Sequence, residues 1–187
     1  MKRFAIITVG KTHSGKTTFA KNLEYQLDAS LVIDQDNHAE FINAHYKTLL
    51  PKKGPNTFKY ALTQTIADYV INHTDFHLIL SNSNLNYQGR SNLLKDYHKK
   101  GFKSVLVNFD IPYQVLQARI AESRRGTNIL RTATTFDEVL IRQQTMSKED
   151  YFIEPSEDEA DYLFVINSVD EVETVIRSII NVIHSEA

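Results

Sequence analysis

The sequence contains no cysteine, which excludes disulfide bonds and thiolate ligands for a metal. Glycine and proline are also scarce, with 6 and 4 residues, and we find no low-complexity tract or fixed-period repeat. No apolar run approaches the length of a membrane-spanning helix, so no membrane partner is expected. The 187 residues are enough for one hydrophobic core and too few for two, which predicts a single domain over 1–187.

A basic excess is missing as well, since the formal net charge is −2. Proteins that bind long nucleic acids usually carry excess positive charge, because phosphate contacts supply most of the affinity. The overall charge therefore disfavours a nucleic-acid partner and leaves a local basic patch open. Residues 1–3 lead directly into an apolar strand, so we expect no signal peptide and a cytoplasmic protein.

Residues 10–17 read Gly-Lys-Thr-His-Ser-Gly-Lys-Thr and fill every position of the phosphate-binding loop pattern G-x-x-x-x-G-K-[ST]. An apolar run over 4–9 predicts a strand before the loop, and apolar spacing over 17–27 predicts a helix after it. In such a loop a lysine, here Lys16, binds the β- and γ-phosphates, and a hydroxyl, here Thr17, ligates Mg²⁺. The predicted nucleotide contacts are Gly10, Lys11, Thr12, His13, Ser14, Gly15, Lys16, Thr17 and Thr18.

Strands alternate with helices along the rest of the chain, which predicts a parallel sheet with helices on both faces. Further strands are predicted at 30–33, 77–80, 104–109 and 162–166, and helices at 37–46, 58–70, 88–100 and 135–148. Another helix is predicted between Asp110, as its cap, and Gly126, and a final helix after a capping box of Ser168 and Glu171. This order behind a phosphate-binding loop predicts the nucleotide-kinase type of the P-loop nucleoside triphosphate hydrolase fold.

Two carboxylates, Asp34 and Asp36, follow the second predicted strand. Ligands of open parallel sheets bind beyond the carboxyl ends of the strands, where these residues would lie. A carboxylate opposite the γ-phosphate can accept the proton of an attacking hydroxyl, so Asp36 is the predicted general base. Asp34 is a reserve base or a second-shell ligand of Mg²⁺. An Asx turn without a catalytic role is the alternative interpretation of both residues.

Four arginines, Arg119, Arg124, Arg125 and Arg131, surround the Gly-Thr pair at 126–127. Phosphoryl transfer spreads negative charge over the equatorial oxygens, which a guanidinium can neutralise. We predict a short arginine-bearing lid over about 119–132, with Arg125 as its catalytic residue and as a further contact to the nucleotide. A solvated helix end, where arginine complements the helix dipole, is the alternative interpretation.

Two other clusters are interpreted without a catalytic role. His73 and His77 have the spacing of metal ligands on a helix, but they lie where a helix gives way to a strand. The acidic run over 154–161 is predicted to be a solvated loop before the last strand.

Three segments carry a likeness to a known family. Residues 81–90 read Ser-Asn-Ser-Asn-Leu-Asn-Tyr-Gln-Gly-Arg, residues 123–127 read Ser-Arg-Arg-Gly-Thr, and residues 35–37 read Gln-Asp-Asn. They resemble S-D-T-N-L-N-x-x-x-R, S-K-R-G-T and R-D-D of the 5′-kinase domain of phage polynucleotide kinase. The resemblance implies that Asp36 is the general base and Arg125 the lid arginine. The wider group includes zeta-toxin-type kinases and adenylylsulfate kinase, whose D-G-D-N resembles residues 34–37.

Two positions depart from the family pattern. Ala39 stands where the family has an arginine that holds the acceptor's phosphate or anion. Asn82 replaces an aspartate that could order Mg²⁺-bound water. Together with the net charge, these departures weaken a 5′-hydroxyl nucleic acid end as the acceptor. A nucleotide or small metabolite with a hydroxyl group remains an alternative acceptor.

The sequence as a whole predicts an ATP- and Mg²⁺-dependent phosphotransferase, in which Lys16, Asp36 and Arg125 are catalytic and the acceptor is a hydroxyl group. A nucleotide-binding ATPase or switch without an acceptor is the alternative from another class, and Asn82 favours it. A nucleoside monophosphate kinase would need cations for the acceptor phosphate. Residues 34–80 contain no arginine, and their lysines are Lys47, Lys52, Lys53 and Lys59. The pattern indicates no oligomeric state.

Overall fold

The computed structural model describes residues 2–146 and 152–186. Five strands form a parallel sheet in the order β2-β3-β1-β4-β5. They are β1 (Arg3–Gly10), β2 (Ser30–Ile33), β3 (His77–Leu80), β4 (Phe102–Phe109) and β5 (Tyr162–Ile166). Each strand overlaps its predicted range, which confirms the predicted α/β class and the parallel sheet.

Helices flank the sheet on both faces. In the described part of the chain they are α1 (Lys16–Gln26), α2 (Gln35–His45), α3 (Thr57–His73), α4 (Tyr87–Lys99), α5 (Tyr113–Glu122), α6 (Phe136–Met146) and α7 (Val172–Ser185). Helices α1, α5, α6 and α7 pack on one face, and α3 and α4 pack on the other. Within the two described ranges, no helix combines the length and the apolar character that crossing a membrane requires.

Strand β1 is the centre of the fold. Its side chains alternate between the two cores, with Phe4 and Ile6 on one face and Ala5, Ile7 and Val9 on the other. A parallel strand covered on both faces is mostly apolar, and the buried polar side chain of this strand, Thr8, donates to Leu80 O and Asn82 O at 3.3 and 3.0 Å. Because β1 pairs with β3 and with β4, the loop that follows it stands at the middle of the carboxyl edge of the sheet.

The predicted start of α2 is wrong by two residues. The helix begins at Gln35 because the side chain of Asp34 caps it, with Oδ1 accepting a hydrogen bond from Asp36 N at 2.8 Å. Asp36 therefore lies in the first turn of a helix rather than in the turn after a strand. The side chain of Asp36 is therefore positioned by the helix α2.

The helix predicted between Asp110 and Gly126 is shorter at both ends. Pro112 is the N-cap residue of α5, and the helix ends at Glu122. The predicted lid over 119–132 therefore begins inside a helix, and the irregular segment runs from 123 to 135. We call this segment the arginine loop.

The start of the final helix, α7, also differs from the prediction. The carboxylate of Glu171 accepts a hydrogen bond from Asn167 N at 2.7 Å, so the predicted capping box with Ser168 is wrong. A 3₁₀ turn at Val169–Glu171 precedes α7. At the end of α6, the predicted residues 147–148 lie outside the described part of the chain.

Candidate functional site

The phosphate-binding loop joins β1 to α1 at the centre of the sheet edge. A Cβ atom at Gly10 would lie 2.9 Å from the Cβ of Phe109, so this position has room for glycine only. Gly15 is the N-cap residue of α1 and has the left-handed φ of 104°, which glycine adopts without strain. Because no side chain caps α1, its first N–H groups and its dipole remain directed at the loop.

The side chain of Lys16 lies over this loop. Its Nζ donates to Lys11 O at 2.5 Å and to Ser14 Oγ at 3.0 Å. Burial lowers the pKa of Lys16 to about 8, while the Asp36 carboxylate acts in the opposite direction. A desolvated ammonium is stabilised by a neighbouring anion, which the oxygens of a phosphate group provide.

Thr17 and Asp34 are brought together by the strand–helix geometry. The Thr17 hydroxyl donates to Asp34 Oδ2 at 3.0 Å, and Asp34 is only 3% exposed. A hydroxyl and a carboxylate are the oxygen ligands that Mg²⁺ prefers, so these residues fit the predicted ion. The described residues contain no group of three His, Asp or Glu side chains suited to a metal. His77 instead uses Nδ1 to accept a hydrogen bond from Phe4 N at 3.0 Å.

Asp36 meets Arg125 across the cleft. Arg125 Nη2 donates to Asp36 Oδ2 at 2.6 Å, which joins the arginine loop to α2. The guanidinium also lies 5.2 Å from the ring centroid of Phe136, and that ring contacts the ring of His13 edge-on at 4.8 Å. The structure thus places the predicted base, the predicted lid arginine and the phosphate-binding loop in one connected set of contacts.

Arg119 does not belong to the arginine loop. It lies on α5, where its Nη1 donates to the carbonyl oxygens of His13 and Ser14 at 3.0 and 3.1 Å. It holds the backbone of the phosphate-binding loop from outside, a role that neither interpretation of the sequence gave it. His13 itself has a φ of 58°, which is unusual for a residue with a side chain.

Gln143 makes a second contact with the phosphate-binding loop that the sequence did not predict. Its Oε1, presented by α6, accepts a hydrogen bond from Thr12 N at 2.8 Å. No short motif identifies this residue, because the contact joins positions 131 residues apart. The helical prediction over 135–148 was the only available signal, and it gave no reason to single out one glutamine.

The segment after β3 forms the floor of the cleft. Ser83 O accepts from Gly10 N at 2.9 Å, and Asn84 Nδ2 donates to Thr8 O at 2.8 Å. These bonds fasten the segment to β1 beside the phosphate-binding loop. In the described residues, the buried Ser81 Oγ has no hydrogen-bond partner, and neither has His13 Nε2. Both residues line the cleft, where a bound ligand or water would satisfy them.

The predicted solvated loop over 154–161 is wrong at Glu159, while the other four acidic residues of the run are exposed. Glu159 pairs with the fully buried Arg90 through two bonds of 2.7 and 2.9 Å, and its own side chain is 7% exposed. Arg90 also donates to Asn84 O at 3.0 Å and to Ile153 O at 2.8 Å. An acidic run that contains one buried ion-pair partner looks the same in sequence as a solvated one.

The opposite wall of the cleft comes from α3. Lys59, Tyr60 and Thr63 line it, facing Asp36 across a cavity of about 1460 Å³ that continues to the phosphate-binding loop. Thr63 Oγ1 lies 2.8 Å from His38 Nδ1, which joins α3 to α2. The arrangement gives one end of the cleft to phosphates and leaves space for a second ligand at the other.

Residues 6–148 match the family model described as AAA domain. The match includes the phosphate-binding loop, α2 and the arginine loop. The chain belongs to the AAA domain family. Its five-stranded parallel sheet behind the loop is the kinase-type fold of P-loop nucleoside triphosphate hydrolases. No curated protein matches the chain in sequence.

Solved structures with a similar fold include several kinases. APS kinase from Mycobacterium tuberculosis, in complex with AMPPNP and APS, superposes with a TM-score of 0.62 at 15% identity, over 98% of this chain and 99% of that chain. Shikimate kinase from Bacteroides thetaiotaomicron gives 0.57 at 17% identity, over 97% and 98%. Kti12 from Chaetomium thermophilum, in complex with ADP-AlF3, gives 0.62 at 17% identity, over 94% and 96%. At identities of 15% and 17%, these superpositions show that the chain shares its fold with these proteins.

Proposed function

We propose that this protein is an ATP-dependent kinase that transfers the γ-phosphate to a hydroxyl group of a small molecule or nucleotide. The observation that carries the proposal is the pairing of Asp36 with Arg125 at 2.6 Å in the cleft of the phosphate-binding loop. A protein that only binds a nucleotide needs neither of these groups at that place. Small-molecule kinases among the structural neighbours support the proposal.

In the proposed reaction, Lys16 and the N–H groups of the loop bind the phosphates, and Arg125 stabilises the charge that develops on the equatorial oxygens. Asp36 exchanges its contact with Arg125 for the acceptor hydroxyl and accepts the proton of that hydroxyl. The acceptor oxygen then forms a bond to the γ-phosphorus. The bond from that phosphorus to the bridging oxygen breaks, and ADP leaves with the electron pair.

Mg²⁺ supplies charge neutralisation at the phosphates when it is bound. The Thr17 hydroxyl would hold the ion, and Asp34 would support it from 3.0 Å behind that hydroxyl. Asp34 also anchors the backbone of Asp36, so one carboxylate would orient the residues on both sides of the transferred group.

A 5′-hydroxyl nucleic acid end is a second candidate acceptor. The segments 81–90 and 123–127, which resemble polynucleotide kinase, favour it. The net charge of −2 and the alanine at position 39 count against it. Ala39 is 5% exposed within α2, so the helix presents a small apolar side chain where the polynucleotide kinase pattern has a cation.

Transfer of labelled γ-phosphate from Mg-ATP tests the proposal. The protein is incubated with a pool of nucleosides and hydroxylated metabolites, and separately with a 5′-hydroxyl oligonucleotide. Label on a pool compound is the expected result. Label on the oligonucleotide alone would identify the second candidate. Label found only as free phosphate would contradict the kinase proposal and favour the ATPase or switch, to which Asn82 already points.

A further inference from the structure

Lys59 occupies a distinctive place in the cleft. It lies in the first turn of α3, where its backbone N donates to Asn56 Oδ1 at 3.1 Å and so fixes the start of the helix. Its side chain is half-buried in the wall that faces Asp36. The ammonium group lies 5.1 Å from the ring centroid of Tyr60.

The charge of Lys59 is not neutralised by a direct contact. Among the described residues, no carboxylate lies within ion-pair distance of its ammonium group. Burial lowers the pKa of Lys59; Asp36 raises it, Arg131 lowers it by less than Asp36 raises it, and Asp34 also raises it. A partly desolvated cation without a direct ion-pair partner is unfavourable, and a bound anion would reduce that cost.

The other cations near the acceptor end are engaged or face solvent. Arg131 donates to the carbonyl oxygens of Pro51 and Gly54 at 2.5 and 3.1 Å. Arg125 is paired with Asp36. The remaining lysines of this region are all exposed and do not line the cleft: Lys47, Lys52 and Lys53.

Lys59 also lies near the end of the cleft where α2 carries Ala39 instead of the arginine of the polynucleotide kinase pattern. Helices α2 and α3 are joined through the contact of His38 with Thr63 at 2.8 Å, and Lys59 lies one helical turn before Thr63. A cation from α3 can therefore reach the same end of the cleft that α2 leaves without one. The cation at this end of the cleft therefore belongs to α3 rather than to α2.

Resting on the proposed kinase activity, we propose that Lys59 binds an anionic group of the acceptor, which is therefore a small hydroxyl compound that carries a carboxylate, sulfate or phosphate. The hydroxyl lies at Asp36 and the anionic group at Lys59 on the α3 wall. Lys59 touches the substrate and determines which acceptors are used, and it takes no part in proton transfer.

Paired acceptors test the inference with Mg-ATP as the phosphate donor. Each pair consists of a neutral hydroxyl compound and its anionic counterpart: glycerol and glycerol 3-phosphate, ribose and ribose 5-phosphate, adenosine and adenosine 3′-phosphate. We expect transfer to an anionic member. For that compound, Lys59→Met should raise the acceptor KM about tenfold or more with a smaller change in kcat, because a charge-assisted hydrogen bond is lost. Lys59→Arg should restore much of the affinity.

The matched control is Lys53→Met, which removes an exposed lysine from the same region and should leave the acceptor KM unchanged. The KM for ATP should stay the same in all three variants. Equal kcat/KM for both members of every pair, or an equal rise in KM for neutral and anionic acceptors in Lys59→Met, would overturn the inference and leave the kinase proposal standing. Label on a 5′-hydroxyl oligonucleotide alone would overturn the small-molecule acceptor.

Binding without transfer separates the two proposals. The protein is saturated with Mg²⁺ and a non-hydrolysable ATP analogue, so that the phosphate-binding loop is filled, and inorganic sulfate is titrated by calorimetry. Sulfate binding that is lost in Lys59→Met and kept in Lys53→Met would support the anion site even if no acceptor were phosphorylated. Identical binding in both variants would overturn it.

Discussion

At the phosphate end of the cleft, one continuous segment at 10–17 leaves the buried strand β1, whereas the proposed acceptor end lies between α2, α3 and the arginine loop. The pair at the acceptor end, Asp36 and Arg125, is 47% and 33% exposed and joins positions 89 residues apart. The phosphate end thus takes its shape from local backbone geometry, and Arg119 and Gln143 support it from α5 and α6. The proposed acceptor end depends on a contact between partly solvated side chains.

The largest expected effect comes from the phosphate end. Lys16→Ala should lower kcat/KM with ATP about a thousandfold, because the charge that faces the developing phosphate is removed. Steady-state kinetics would measure it, with Lys21→Ala on the exposed face of α1 as the control. A loss of less than about tenfold would show that the loop does not hold the reacting phosphates.

A substitution in the ion pair beneath the floor of the cleft should lower the stability of the protein. Glu159→Gln should lower the free energy of unfolding by about 3 kcal/mol, because the fully buried Arg90 loses its counter-charge. Denaturant unfolding would measure the change, and Glu157→Gln, at an exposed neighbour, is the control. Equal midpoints for the two variants would contradict the importance of the pair.

A substitution at the proposed acceptor end should slow phosphate transfer while ATP still binds. Asp36→Asn should reduce phosphate transfer about a hundredfold while ATP affinity changes little, since a general base acts on the acceptor alone. Transfer assays and ATP titration would be run together, with Glu40→Gln on the same helix as the control. Normal transfer by Asp36→Asn would reject Asp36 as the base.

The smallest expected effect is a pH dependence confined to the phosphate end. Lys16 has a pKa of about 8, so its ammonium is lost as the pH rises through this value. ATP binding should weaken about tenfold between about pH 7 and about pH 9, and Lys16→Arg should abolish this dependence. The ligand-free protein should become more stable over the same interval, because its unfolded state binds the additional proton. A pH profile unchanged in Lys16→Arg would contradict the assignment.

The two ends also differed in how far the sequence could predict them. The loop, its strand and its helix follow from spacing and residue type, so the nucleotide end of the fold was predicted in detail. Arg119 and Gln143 support that loop from α5 and α6, and Glu159 reaches Arg90 from an acidic run. Each of these contacts depends on where distant helices pack, and no local pattern of residues carries that information.

The central position of β1 has a consequence for local opening of the chain. Its backbone N–H groups pair on both sides with β3 and β4, and its side chains are covered by both cores. Hydrogen exchange at these amides should therefore require global unfolding. The arginine loop lacks regular structure and is mostly exposed, so its amides should exchange through small local openings. If the proposed kinase activity holds, the arginine loop can adjust to acceptors of different shape without opening the central strands.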